Sequence, residues 1–312
     1  MTVHPSEILP VPDYAALVPA HFLHPPAVRV LPGARSHLGV PYATPPGWRA
    51  LRLDLHLPEG PGPHPVVVYA HGGSWLGGMP GHGPWHGLPA RGTAVASVGY
   101  RLAGEVPFPE PVEDLRAAIR WVRSHGDRYD LDPHRVAGWG SSAGAYLMTM
   151  AALSGERPLG RPIGDGVGAA GVDAVVDHYG PADLGRLLDD AHEPTSEGQA
   201  GTAAVLRTFL GRDPDGSDNP DDPANPLRLA GPGAPPFLIV HGDADHRVGL
   251  AQSRWLHAGL RAAGVPAELV VLPGADHADP AFFDPVEVER VLAFLTAVWD
   301  RAAVPVPSRS SP

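Results

Sequence analysis

The stretch GWGSSAGAY (residues 138–146) sets two serines side by side, Ser141 and Ser142. A serine hydroxyl is well presented for attack at a sharp strand-to-helix bend. Such a bend crowds the residues two before and two after it, so both must be small. Ser142 has Gly140 and Gly144 in those places, whereas Ser141 would need Trp139 to fit. Ser142 is therefore the candidate nucleophile. RVAGWG before it reads as a strand and SAGAYLMTMAAL after Ser141 as a helix. The hydroxyl then lies near a helix N-terminus, where amide dipoles favour developing negative charge. Taken alone, GSSAG also suits an ordinary glycine–serine turn.

A serine is a poor nucleophile without a base, an acid that orients the base, and amide donors for the oxyanion. HGGSW (residues 71–75) follows the buried run PVVVYA and could supply those amides. Gly72 with Gly73, or Gly73 with Ser74, would join the N–H of Ala143, the residue after the nucleophile. His71 sits at the strand end and reads as a hydrogen-bonding residue that shapes this loop. FLIVHGDADHRV (237–248) offers two acids past a late strand, Asp243 and Asp245. Sites in open α/β sheets form at that carboxyl edge. Of 17 histidines, His277 in LPGADHAD is the one that follows the last strand, AELVVLP. His277 would take the Ser142 proton and return it to the leaving group, with the acid holding the imidazole tautomer. Trp75 and Tyr100, beside these loops, are candidate substrate-pocket residues.

The elements that must hold these residues alternate along the chain. Strands are predicted at 51–58, 65–73, 93–100, 135–140, 172–180, 236–242 and 267–274, the first with period-two alternation and the others as apolar runs. Helices are predicted at 109–126, 142–153, 253–264 and 286–300. Buried strands alternating with amphipathic helices imply a mostly parallel sheet with helices on both faces. Residues 1–49 are Pro-rich and read as an arm over the domain, with a short helix at 13–18. The main domain spans residues 50–300, and 301–312 reads as a tail. Residues 181–233 break the rhythm with a helical patch at 202–210 and the turn-rich DPDGSDNPDDPANP, as a lid or cap insertion would.

Composition excludes several classes. The net charge of −11 and the absence of an Arg-rich stretch speak against a nucleic-acid surface. The absence of cysteine removes disulfides and thiolate metal sites. No apolar run approaches the roughly 20 residues that span a bilayer, and the first residues show no signal-peptide pattern. A cytoplasmic protein with no cofactor and a small-molecule substrate is the expectation; oligomeric state is not legible.

The chain resembles serine esterases of the α/β-hydrolase superfamily, above all the hormone-sensitive-lipase-like and the bifunctional feruloyl/acetyl-xylan esterases. The likeness rests on HGGSW, GYRLAGEVPFPEPVEDLRAAIRWV, YDLDPHRVAGWGSSAGAYL, YGPADL, PPFLIVHGDADHRV and LPGADH, and runs from about residue 50 to residue 298. It implies an α/β-hydrolase fold and the order nucleophile, acid, base along the chain. The family's HGxxDxxV pattern falls on His241, Gly242, Asp245 and Val248, which selects Asp245 over Asp243. The implied chemistry is hydrolysis of carboxylic esters, mostly with short acyl chains, by Ser142, His277 and Asp245.

Three positions depart from the family pattern. Ser74 replaces a frequent third glycine and adds a side chain beside the carbonyl. Ala145 replaces a second glycine after the bend. Asp276 precedes the base where glycine is usual, and its charge is expected to favour the imidazolium. Other readings use the same residues. The similar HGGYW pattern of kynurenine formamidases admits amide substrates. A peptidase-like activity would use the same triad, and a hydrolase-fold binding protein would use the pocket alone. His82 and His86 lie four apart, but the glycines and proline of GHGPWHG argue for a loop and against a metal site. Glu113 and Asp114 are expected to stabilise a helix dipole. Asp215 to Asp222 reads as a solvated loop.

Overall fold

The computed structural model describes residues 20–191, 196–214 and 222–303. Eight strands form one sheet: β1 (Ala34–Ala43), β2 (Leu51–Pro58), β3 (His64–Ala70), β4 (Ala94–Val98), β5 (Leu131–Ser141), β6 (Val175–His178), β7 (Phe237–Gly242) and β8 (Ala267–Leu272). Their spatial order is β1-β2-β4-β3-β5-β6-β7-β8. β2 pairs antiparallel with β1 and β4, and all later neighbours are parallel. This is an α/β-hydrolase fold.

Five helices matter for the site: α1 (Glu110–His125), α2 (Ala143–Leu153), α3 (Ser196–Leu210), α4 (Leu250–Ala262) and α5 (Pro285–Ala303). The strands divide their side chains by period two. Val66, Val68 and Ala70 face one core with Leu115 and Ile119 of α1, Leu147 of α2 and Leu256 of α4. Val67 and Tyr69 face the other, with Val291, Leu295 and Trp299 of α5. A sheet covered on both faces explains why the central strands read as unbroken apolar runs. Register sets the strand ends level: Ala70 pairs with Gly140, Ser141 with His178, and Gly242 with Leu272. The loops after β3, β5, β7 and β8 therefore open on one edge.

The structure revises four readings. Residues 1–49 are not only an arm, because β1 lies within them and pairs with β2. Its alternation is interrupted at Gly39 and Pro41, where the register shifts twice, so a strand pattern was hidden. The helix expected at 13–18 lies outside the described residues. α5 runs to Ala303, three residues into the expected tail. Glu113 and Asp114 do more than offset a helix dipole: both are fully buried. Asp114 accepts from the Arg101 backbone N–H at 2.8 Å and from its guanidinium at 2.6 Å, pinning the loop after β4. Within the 181–233 insertion, α3 starts at Ser196, earlier than the expected 202. Asp215 to Asp221 fall outside the described residues, while Asp222 pairs with Arg212 and caps the Ala224 amide at 2.8 Å.

Candidate active site

The bend between β5 and α2 is built by steric necessity. Ser142 has φ 53° and ψ −122°, a conformation that L residues seldom adopt. A Cβ on Gly140 would lie 2.4 Å from the backbone of Ala145, and one on Gly144 would lie 2.2 Å from the Ala70 carbonyl oxygen. Neither neighbour can yield, so only glycine fits either side of Ser142. Ala145, the first departure from the family pattern to find a contact, packs its methyl toward Gly180, where an added Cβ would lie 2.7 Å away.

The three residues expected to act together do meet. Ser142 Oγ lies 2.9 Å from His277 Nε2, and His277 Nδ1 lies 2.8 Å from Asp245 Oδ2. An ionised carboxylate only accepts, so Nδ1 carries the proton and Nε2 is free to accept from the serine. Asp245 is buried, which by itself pushes its carboxyl up. Hydrogen bonds from His241 and His277, the His277 charge and the Val248 amide outweigh this and hold it well below the usual carboxylate range. Its Oδ1 accepts the amides of Arg247 and Val248, each at 2.9 Å. Its Oδ2 is also 3.2 Å from His241 Nε2. His241 Nε2 also lies 2.7 Å from the Val248 carbonyl, so it donates to both; Nδ1 accepts from Ser253 Oγ at 2.6 Å. His241 thus backs the acid from behind, a role that sequence reading left unassigned although His241 stood in the HGxxDxxV pattern.

The alternatives separate by geometry. Asp243 caps the Gly274 amide at 2.6 Å and does not reach His277. Ser141 accepts from the Tyr69 hydroxyl at 3.0 Å beneath the bend. Burial raises the Tyr179 phenol to about 12, opposed by its hydrogen bond to Ser141. Tyr179 therefore stays neutral, and its ring stands edge-on to His277 with centroids 4.9 Å apart. Asp276 does not contact the His277 ring; its carboxylate accepts the His277 backbone N–H at 2.7 Å and faces His246.

The loop after β3 lies against the bend, since a Cβ on Gly72 would be 3.2 Å from Ser142 Cβ. Ser74 and Trp75 hold positive φ, 54° and 57°, a strained turn locked by Leu76 and Gly77 amides donating to the Gly73 carbonyl at 3.0 and 3.1 Å. Among the described residues, the amides of Gly72, Gly73 and Ser74 donate to no other protein group. Both pairs weighed from the sequence thus remain available beside Ala143. His71 shapes this loop from below: Nδ1 lies 2.8 Å from the Gly72 carbonyl, and the ring stacks on Tyr100 at 4.4 Å. Tyr100 donates to the His71 carbonyl at 2.8 Å and lines neither space around Ser142. It supports the loop and does not reach the cleft, a correction to its reading as a pocket residue.

Two spaces meet at Ser142. The smaller, about 70 Å³, is walled by Trp75, Pro181, Leu187, Thr202, Val205 and Leu206. Trp75 stacks on Phe209 of α3 at 4.2 Å, which ties the loop after β3 to the insertion. Gln252 holds the opposite wall, accepting the Ala182 and Asp183 amides at 2.7 Å each and donating to Asp190 at 2.7 Å. The larger space, about 390 Å³, is lined by Tyr69, His82, Pro84, Tyr179 and Phe283 among others. Ser74, Ser142, Arg247 and His277 border both. The leucine and valine of α3 and Arg247 carried no signal in sequence patterning. His86 sits in a short 3₁₀ turn, Pro84–Gly87, against Trp85, and no group of three or more metal-ligating side chains occurs among the described residues. No described helix is long and apolar enough to cross a membrane.

Comparison with known proteins adds a lineage. The BD-FAE family matches residues 53–260. Esterase LipQ of Mycobacterium tuberculosis is 32% identical over 77% of this chain and 56% of its own length. Esterase LipC of the same organism is 30% identical over 69% of this chain and 53% of its own length. The chain thus spans about half the length of these curated relatives. A truncated carbohydrate esterase from gut microbiota superposes with a TM-score of 0.71 at 28% identity, covering 85% of this chain and 96% of that one.

Proposed function

The chain belongs to the BD-FAE family of α/β-hydrolases, and from that premise we propose that it hydrolyses carboxylic esters through an acyl-enzyme on Ser142. The observation that carries this reading is the relay from Ser142 Oγ to His277 Nε2 at 2.9 Å and from Nδ1 to Asp245 at 2.8 Å. Names of relatives support the ester class.

His277 removes the Ser142 proton as Oγ bonds to the substrate carbonyl carbon. The oxyanion is received by Ala143 N–H and by amides of the Gly72–Ser74 loop. Asp245 stabilises the imidazolium without taking its proton. His277 then protonates the alcohol oxygen as the C–O bond breaks. Water repeats the sequence, its proton going to His277 and its oxygen to the acyl carbon, and Ser142 is regenerated. The acyl half stays bonded to Ser142 while the alcohol leaves, and this reading assigns the acyl half to the smaller space and the alcohol to the larger. A space of about 70 Å³ favours short chains.

The test is a panel of aryl esters of increasing acyl length with an arylformamide included, run on the wild type and Ser142→Ala. Ester turnover that falls by about four to six orders of magnitude in the variant supports the reading. Preference for the formamide replaces ester by amide chemistry, and undiminished turnover in Ser142→Ala removes the nucleophile.

A further inference from the structure

Arg247 is the one charged side chain, histidines aside, that borders both spaces around Ser142 among the described residues. Its backbone is fixed by the triad itself, because its N–H donates to Asp245 Oδ1 at 2.9 Å. Its side chain is exposed and forms no ion pair, hydrogen bond or ring contact with another described residue. The acid two residues away forms no ion pair with the guanidinium: Asp245 Oδ2 is engaged by His277 and His241, and Oδ1 by amides. Asp276, a surface acid on the neighbouring loop, is engaged by His246 and the His277 amide.

The lining of the cleft offers that guanidinium no carboxylate partner. Neither space has an aspartate or glutamate in its lining, although the chain carries 34 such residues and a net charge of −11. The remaining titratable groups facing the larger space are His82, His277, Tyr69 and Tyr179, and burial keeps both phenols neutral. Apart from the buried triad carboxylate of Asp245, no carboxylate among the described residues faces the cleft, and a planar, bidentate donor stands at its mouth. A guanidinium in that setting matches a carboxylate or a phosphate on the substrate.

The two spaces decide which half of the substrate carries the anion. The smaller, about 70 Å³, is lined by Trp75, Leu187, Val205 and Leu206 together with Ser74, Thr202 and Arg247. That volume holds a short acyl chain and leaves little room for a charged group with its hydrating water as well. The larger, about 390 Å³, has room for such a group and holds His82 and Ser141 besides Arg247. We propose that Arg247 is a specificity determinant that binds an anionic group, carboxylate or phosphate, on the alcohol half of a short-chain acyl ester. This rests on the ester-hydrolase reading above and adds the chemical class of the leaving alcohol.

The experiment uses matched esters that differ in one charge. Wild type, Arg247→Gln, Arg247→Lys and Arg247→Glu are assayed on 3-acetoxybenzoate, its methyl ester, 3-acetoxyphenyl phosphate, and 3-(aminomethyl)phenyl acetate. The wild type should favour the two anionic esters over the methyl ester, with a preference that shrinks as salt rises. In Arg247→Gln the anionic-to-neutral ratio of kcat/KM should fall about tenfold to a hundredfold, the range for a hydrogen bond to a charged group. Arg247→Lys should restore part of it, and Arg247→Glu should turn the preference toward the amine. The two anionic arms separate carboxylate from phosphate as the better group.

A ratio unchanged by Arg247→Gln overturns the inference. So does a larger Arg247 effect on 4-nitrophenyl hemisuccinate against 4-nitrophenyl butyrate, which would move the anion to the acyl half. Turnover of the methyl ester by the wild type, with Ser142 labelled by a fluorophosphonate, keeps the ester-hydrolase reading intact in either event. Absence of both is the result that removes the parent reading itself.

Discussion

Enlarging the small space should lengthen the acyl chain that the enzyme prefers. The space measures about 70 Å³, small enough that only a short chain fits beyond the carbonyl. Acetyl to butyryl esters meet that limit; longer chains must displace α3. Leu206 is fully buried and forms part of the wall. Leu206→Ala removes three carbons from that wall and opens room for further methylenes. Each extra methylene then buried stabilises the transition state by about 0.8 kcal/mol, or about fourfold in kcat/KM. Two extra methylenes amount to about fifteenfold. The assay is kcat/KM for 4-nitrophenyl esters from two to eight carbons. The wild type should peak by four carbons and the variant by about six. Truncating a buried leucine also costs about 2–5 kcal/mol of stability, so Val205→Ala, at a half-buried wall position, is measured beside it. A chain-length profile unchanged in both folded variants, or a wild type that prefers octanoate, would refute the assignment of the acyl half to this space.

Three further outcomes follow from the same geometry. His241→Phe removes one of the two side-chain donors to Asp245 Oδ2, and kcat/KM for 4-nitrophenyl acetate should fall about tenfold to a hundredfold; a lower melting temperature with unchanged kinetics would contradict it. Gly144→Ala drives a methyl to 2.2 Å from the Ala70 carbonyl oxygen and should cost about 3 kcal/mol or more in urea unfolding, overpacking at its severe end. Near-neutral stability would show that the bend can relax. Burial lowers His178 from 6.5 to about 3, and its two ring nitrogens have no partner. Between those pH values the unfolded chain binds a proton that the native state does not, so stability falls as pH drops through that window, by about 1.4 kcal/mol per unit. His178→Phe should lessen the pH slope of urea-derived stability by that amount between pH 6 and 4, and an identical slope would reject the buried neutral imidazole.

Legibility in the sequence tracked how local each constraint was. Ser142 could be told from Ser141 because the bend imposes small residues at fixed offsets, and the contacts of Gly140 and Gly144 give that rule its physical cause. The central strands were readable because both faces are covered. β1 was not, because Gly39, Pro41 and two register shifts erase alternation at an edge. Asp243 and Asp245 follow the same strand, and only the resemblance separated them; in space, one caps Gly274 and the other holds His277. Tyr100 lies next to the right loop in sequence yet stacks beneath it. Arg247 and the wall formed by Val205 and Leu206 emerge only when distant loops and α3 converge, a relation that no periodicity encodes.

Stoichiometric labelling with a fluorophosphonate, followed by peptide mass analysis, tests the central claim most directly. One adduct per chain should form, on Ser142 and not Ser141, with labelling rates that collapse in His277→Ala and survive in Asp243→Asn. An adduct elsewhere, or a rate on Ser142 indifferent to the loss of the His277 imidazole, would contradict the account.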